Sequence, residues 1–468
     1  MKTTTRSFRA TALALAVLGT LAAGQTSASG FQLREQSVKN LGKSNAGSIV
    51  GKDASNVSLN PAAMTNLDKN TFQADVTVID LSADFSGGGS VFGSPAAPAA
   101  LSGGNGGDPG DPTVVPNMAA VFPMKGALEG MTLGVSVGAP FGLKTEYEPG
   151  WVGRYRALTS DVKTVDLTMS AAFKASDGIS IGFGLVYERA EVTLTKAIDF
   201  GTAVCARAAG AGSPAATCFN PNWALYSTFH PGSQDGSFEV SGDSTAIGYV
   251  VGAQIKPNDK LAIGISHRSE IKHDLEGTLD FAVPSPVATA LGPLAAAYAD
   301  GDGGARLVTP SITTVSISYG FTDQFRVMAD YQRTGWKSLQ DVIIKRANGS
   351  VVGSEPFNWK NTNFLSLGAE YDISDAFTLR AGVGKDQSPT NDAHRTPRLP
   401  DNDRTLYSIG ASWNMSENLS IDAAFQRINI DSPTINLPFD PASGNFSTLH
   451  GSFSGSANLY GVSMQYRF

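Results

Sequence analysis

Residues able to run catalysis or hold a metal are few in this chain. Its five histidines are His230, His267, His273, His394 and His450. A hydrolytic centre needs a serine or aspartate positioned against a histidine, and His394 beside Asp392 is the nearest candidate. Both lie in a stretch rich in turn residues, which reads as a solvated loop rather than a catalytic pair. The two cysteines, Cys205 and Cys218, have no close histidine and make a poor metal site. In an exported protein they fit one disulfide stapling a small loop. No Gly-rich nucleotide loop after a strand and no H-E-x-x-H pattern is present, so no cofactor or metal is expected. The residues equipped for binding are apolar. Phe219, Trp223, Leu225, Tyr226 and Phe229 fall in one long stretch, and Val287, Leu291, Leu294 and Tyr298 in another. Apolar side chains in exposed loops mark binding surfaces, although packing into loop cores is an equal reading.

The elements that position these residues follow from composition. Of 468 residues, 41% are hydrophobic but only 16% are charged, and 51 are glycine. Beyond the N-terminus no apolar run reaches the ~18 residues of a membrane helix, and neither a collagen period nor sustained heptads occur. Lys2, Arg6 and Arg9 precede an apolar stretch from Ala10 to Ala23, and small residues follow to Ala28. This is the pattern of a secretory signal over residues 1–28, too short in its apolar part to span a membrane. Its removal takes three positive charges from a chain of net charge −7, leaving about −10, which disfavours nucleic acid as a partner.

From Thr71 onward apolar and polar residues alternate repeatedly. Phe72, Ala74, Val76 and Val78 interleave with Gln73, Asp75 and Thr77, and Val165, Leu167, Met169, Ala171 and Phe173 lie opposite Asp166, Thr168 and Ser170. Such a period of two means strands with unlike faces. Short turns at 176–178, 257–259, 322–324, 374–376 and 416–418 alternate with long stretches near 86–113, 196–242, 282–304, 387–403 and 432–454. The alternating segments make seven hairpins, hence 14 antiparallel strands. Short turns on one side and long loops on the other predict an all-β, multi-pass transmembrane β-barrel of the bacterial outer membrane, with the barrel over residues 71–468. The last strand agrees: Tyr460, Val462, Met464, Tyr466 and Phe468 share one apolar face. Fourteen strands enclose a lumen too wide to be filled by wall side chains alone. Residues 29–70 do not read as strands, and their few charges argue against a disordered tail. They are expected to form an N-terminal hatch inside the lumen.

Several segments, in order and at matching spacing, resemble one family. They are Gly30-Phe31-Gln32-Leu33, Asn56-Val57-Ser58-Leu59-Asn60-Pro61-Ala62, Val115-Pro116-Asn117-Met118, Phe141-Gly142-Leu143, Arg268-Ser269-Glu270 and Leu399-Pro400-Asp401-Asn402-Asp403-Arg404. The mature chain is similar throughout to the outer-membrane long-chain fatty acid transporters and their toluene and xylene channel relatives. That resemblance implies a monomeric 14-stranded barrel with a hatch. It also implies passive movement of an apolar cargo that is captured outside, held in an inner pocket and released sideways through a gap where the third strand kinks. An apolar path suits such a cargo, since each buried CH₂ gives about 0.8 kcal/mol. On this reading Phe31 contacts ligand at the hatch terminus, Asn60, Pro61 and Ala62 hold the hatch in shape, and Pro140, Phe141 and Gly142 form the exit kink. The family's basic position after Tyr187-Glu188-Arg189-Ala190 aligns with Leu194, with Lys196 or Arg189 as substitutes. A second basic position falls near Lys345. A missing base would suit a neutral aromatic hydrocarbon or alkane. An enzymatic barrel, a polar porin and an adhesin are the rival classes: the absence of a positioned histidine pair argues against the first, the hatch and apolar loops against the second, and the modest length and composition of the loops against the third.

Overall fold

The computed structural model describes residues 30–94, 97–208, 218, 220–439 and 447–468. The expected signal over 1–28 and Phe219 lie outside the described residues. Fourteen barrel strands run in chain order: β1 Thr71–Gly88, β2 Thr113–Pro123, β3 Met131–Gly138 continued by Gly142–Glu146, β4 Thr159–Ser176, β5 Ile179–Asp199, β6 Asp235–Asn258 and β7 Leu261–Arg268 continued by Ile271–Ala282. Then come β8 Gly301–Thr309 with Ile312–Gly320, β9 Phe325–Thr334 with Asp341–Arg346, β10 Val351–Pro356 with Thr362–Asp372, β11 Phe377–Asp386, β12 Arg404–Asn414, β13 Leu419–Ile430 with Thr434–Leu437, and β14 Leu449–Arg467. Each pairs antiparallel with its neighbours, and β1 pairs with both β2 and β14, closing the barrel.

Outward faces fix the membrane level. On β5 the exposed residues are Ile179, Ile181, Phe183, Leu185 and Tyr187, and on β6 Ile247, Tyr249, Val251 and Ile255. Tilted strands of this length make the apolar band about 25 Å tall that such barrels present to lipid. Above Tyr187 the outward residues turn charged: Arg189 pairs with Glu191 at 2.9 Å and Asp243 at 3.5 Å. The ends of β5 and β6 therefore project beyond the membrane, still paired as far as Asp199 with Asp235. Much of the stretch 196–242 expected as loop is strand. Its outward residues, Ser237 and Glu239 among them, lack the apolar band that marks strands in lipid. Ala347–Ser350 is a tight turn, and residues 387–403, expected as a long loop, fold back into the barrel mouth, with Arg395, Arg398, Leu399 and Asp401 buried.

Residues 30–70 fill the lumen. Their side chains and backbone bond inward-facing groups around the wall: Val38 N to Asp75, Ser44 to Ser408, Gly47 N to Asp330, Thr65 to Ser180, and Arg34 to Asp386 at 2.9 and 3.2 Å. The polar inner face of the strands thus exists to seat a polar plug.

Candidate functional site

Three interruptions of the wall push side chains into the upper lumen. Between the halves of β9 a short turn beginning at Trp336 delivers Trp336 and Leu339, and between those of β10 Phe357 and Trp359 turn inward beside Asn358 at φ 46°. At the break in β3, Phe141 is fully buried. Phe31 of the hatch sits among them, with ring centres 4.8 Å from Trp336, 5.8 Å from Trp359 and 6.0 Å from Phe141. Edge-to-face pairs at this spacing hold the cage by more than burial. Gly30 makes the approach possible: at φ 64° it favours glycine, and a Cβ there would lie 2.8 Å from Trp336. Its N–H donates to Asp401 at 3.0 Å, so the infolded 387–403 segment anchors the hatch terminus.

Beside this cage lies an apolar slot of about 70 Å³, bordered by Phe31, Leu143, Val162, Leu194, Leu307 and Leu399. It has room for roughly five to seven water-sized spheres, which suits one acyl chain segment or one aromatic ring. Above it an outer chamber of about 190 Å³ is bordered by Lys196, Ile198, Phe238, Phe281 and Tyr298. Leu194, Val240, Ile344, Glu355 and Arg398 border both spaces. Two polar contacts tie the chamber rim together: Tyr155 Oη donates to Asp235 at 2.6 Å, and Arg154 bonds the same carboxylate at 2.8 Å. Burial, with Asp199 and Asp235 beside it, pushes the Tyr155 phenol well above its ordinary range, so it stays a donor at neutral pH.

The external loops cap the chamber. Phe229 and Leu291 are buried in a loop core with Phe200, Val204 and Val287, and Trp223 packs half-buried against it. Leu225 and Leu294 remain 46% and 54% exposed. The loop residues thus divide between packing and an exposed apolar rim. Cys205 and Cys218 form a disulfide spanning 13 residues beside this core. A loop of that size is worth about 3 kcal/mol on a chain-entropy argument. Replacing both cysteines by serine is expected to speed proteolysis within 200–234 while leaving heat stability of the barrel unchanged; a lowered barrel melting temperature would contradict this.

The interruption in β3 leaves part of β2 without a ladder partner. In β3, Gly138 faces Asp166 of β4 and Gly142 faces Lys163, with three residues between them against two, so β3 carries one surplus residue. On its other side β3 pairs with β2 only from Met118 to Pro123. Thr113–Asn117 of β2 bond β1 and have no partner in β3. Ala139 and Pro140 occupy the break, and proline removes a ladder donor there. Hatch backbone takes the freed groups: Leu33 N donates to Pro140 O and Gly142 N to Phe31 O, both at 2.8 Å. Asn117 donates to Gln36 O at 2.7 Å across the gap. Glu146 N with Pro109 O at 3.0 Å and Lys144 with Asp111 at 3.1 Å close it above. Val115 and Ala139 pack against Leu33 in one apolar cluster, so the seam is apolar at its centre.

On the short-turn side the lumen is a polar cavity of about 1650 Å³ bordered by Lys39, Lys52, Lys69, Asp53 and Lys256 among others. Asn60 accepts from Ala62 N at 3.2 Å and donates to Ile49 O at 2.8 Å, folding the turn that opens the helical stretch Pro61–Asn66. Asn60, Pro61 and Ala62 are buried against the wall and border neither apolar space.

Two basic positions expected at the pocket lie elsewhere. Lys345 is exposed on the outer face of β9, because Val342 and Ile344, three and one residues before it, take the inward face. Arg189 likewise points outward into its ion pairs. Lys196 does face the chamber. Asp392 bonds Arg395 rather than His394. Sequence reasoning missed Trp336, Trp359, Glu355 and Arg398, all of which sit in or beside strand breaks and loops where no period exists to read.

A family model described as outer membrane protein transport protein (OMPP1/FadL/TodX) matches residues 19–468. The chain belongs to the OMPP1/FadL/TodX family. Among its relatives, a 47 kDa outer membrane protein of Pasteurella multocida (strain Pm70) is 27% identical over 470 residues, 99% of each chain. The long-chain fatty acid transport protein of Escherichia coli (strain K12) is 27% identical over 469 residues, covering 97% of this chain and 98% of that one. The crystal structure of a Pseudomonas aeruginosa FadL homologue is 26% identical and matches with a TM-score of 0.83, over 94% of this chain and 100% of that one. The toluene transporter TodX of P. putida shares the fold at 16% identity, with a TM-score of 0.64 over 92% of this chain and 97% of that one. As a member of the OMPP1/FadL/TodX family, the chain is an outer-membrane transport protein whose strands cross the bilayer.

Proposed function

We propose that this protein carries long-chain fatty acids or similar hydrophobic molecules through the outer membrane by passive diffusion, releasing them sideways through the β2–β3 gap. The observation that carries this reading is the apolar slot beside Phe31 lying next to a seam in the barrel wall, while the axial route is blocked by the hatch and opens below into a polar space. An acyl chain loses its apolar surroundings on the axial route and keeps them on the lateral one. The exposed Leu225 and Leu294 serve as the first contact, the outer chamber as the entry and the slot as the inner stop. Residues 1–28 act as the export leader, 29–70 as the hatch, and the barrel works as a monomer without catalysis.

A second reading, a channel for aromatic hydrocarbons or alkanes, is favoured by Leu194, which brings an apolar side chain to the slot. Both readings share the path and differ in head group. The test is growth on oleate, as sole carbon source, of cells lacking their own fatty acid transporter. The full-length chain is expected to restore growth, and Trp336→Ala with Trp359→Ala to reduce oleate uptake about tenfold or more by emptying the cage. Growth that is not restored, with toluene entry unaffected by the chain, would overturn both readings.

A further inference from the structure

The outer chamber and the inner slot are divided by a charged pair in otherwise apolar surroundings. Arg398 Nε donates to Glu355 at 3.2 Å, with the two side chains only 4% and 18% exposed. Arg398 Nη1 is held by Thr159 O and Ser160 Oγ, both at 3.2 Å, and by Thr195 O at 3.4 Å, so the guanidinium is fixed to the tops of β4 and β5. Its Nη2 has no hydrogen-bond partner among the described residues. Lys196 faces the same chamber and forms no ion pair among the described residues, although Glu355 is its main electrostatic neighbour. The other carboxylate bordering the chamber, Asp199, is satisfied by Thr202 N, Thr202 Oγ1 and Gly232 N. One carboxylate is therefore shared by two cations, and one guanidinium nitrogen is left without a partner. A cationic donor in this state gains a charge-assisted bond from any ligand acceptor that reaches it.

We infer that Arg398, Lys196 and Glu355 form a carboxylate-selective collar between the two spaces, in which the cargo's carboxylate takes the free Arg398 Nη2 and Lys196 while Glu355 acts as a resident competitor. The inference rests on the apolar-cargo reading above and narrows it to acids. Its physical basis is that an anionic head group gains charge-assisted bonds here, whereas a hydrocarbon of equal length gains nothing and must pass a pair that stays closed. Glu355 keeps the collar from binding the acid so tightly that release becomes slow, since any entering carboxylate must displace it.

The test is equilibrium binding of palmitate, hexadecanol and hexadecane to the purified full-length protein and to Glu355→Gln, Lys196→Gln and Arg398→Gln. Wild type is expected to prefer palmitate to hexadecane. Glu355→Gln should tighten palmitate several-fold, because the competitor is gone, and leave hexadecane within about twofold. Lys196→Gln should weaken palmitate by about 10- to 100-fold and leave hexadecane unchanged. Arg398→Gln should do the same, and the other two variants decide the matter if this one fails to fold. Tightening in Glu355→Gln is the decisive readout, since loss of a merely structural ion pair would weaken every ligand alike. Equal shifts for palmitate and hexadecane, or weaker palmitate binding in Glu355→Gln, would overturn the collar while leaving the hydrophobic-cargo reading intact. Binding of hexadecane with no preference for palmitate would do likewise. No binding of any of the three would overturn both.

Discussion

Deleting Pro140 is expected to stop cargo delivery while leaving cargo binding in place. The reason is arithmetic in the ladder: three residues of β3 between Gly138 and Gly142 stand against two of β4 between Asp166 and Lys163, so removing one restores an unbroken register. A straight β3 would then meet Thr113–Asn117 of β2, whose groups on that side have no strand partner. Each new ladder bond is worth about 0.5–1.5 kcal/mol, so several together favour a sealed wall. Sealing also releases the hatch backbone from Pro140 and Gly142, while Trp336, Trp359 and the Gly30–Asp401 bond still hold Phe31 beside the slot. Uptake of radiolabelled oleate into cells should fall by about tenfold or more, with affinity of the purified protein changed little, which is the signature of a lost exit rather than a lost site. Unchanged uptake by the deletion variant would show that cargo leaves by another way.

Gly252→Val is expected to unseat the hatch. Gly182 and Gly252 lie opposite one another on β5 and β6, and the Asn60-Pro61-Ala62 turn rests directly on this bare patch. A Cβ at Gly252 would fall 1.9 Å from Asn60 Oδ1, and one at Gly182 2.4 Å from Ala62 N. Overpacking a close contact typically costs about 1–3 kcal/mol. Here the crowded atoms are backbone and a side chain held from two sides, so they cannot rotate away. The turn must lift, breaking the Asn60–Ile49 bond and uncovering the polar lumen below. Ion conductance in planar bilayers should rise about tenfold or more above wild type, and entry of hydrophilic antibiotics should rise with it. Gly320→Val, where a Cβ would meet only ordinary contacts, is the control. Equal conductance in the two variants would show that Asn60-Pro61-Ala62 does not hold the plug.

What could be read from the residues was set by contrast between faces. Strands such as Ile179–Asp199 have lipid outside and a polar plug inside, and that contrast writes a period of two into the chain. The 14 strands were legible for this reason. Above the membrane the contrast fades, so β5 and β6 run on into what looked like loop. In Val342-Ile343-Ile344 both faces are apolar, and the facing of Lys345 was therefore ambiguous until the ladder set it. Trp336, Trp359 and Arg398 belong to breaks and an infolded loop, whose positions follow from long-range contacts with Phe31 and the tops of β4 and β5. Nothing local in the chain encodes those contacts.

The proposed function turns on the slot beside Phe31 as the place where an apolar chain is held inside the wall. The most direct measurement is quenching of tryptophan fluorescence by palmitate brominated near its methyl end, in purified full-length protein. Trp336 and Trp359 are buried in the cage, whereas Trp413 is 46% exposed on the lipid face. The account predicts saturable quenching that is relieved by unlabelled palmitate and largely lost in the Trp336→Phe, Trp359→Phe double variant. Quenching that persists undiminished in the double variant would place the fatty acid at the outer loops or the lipid-facing surface instead of in the slot, and would contradict it.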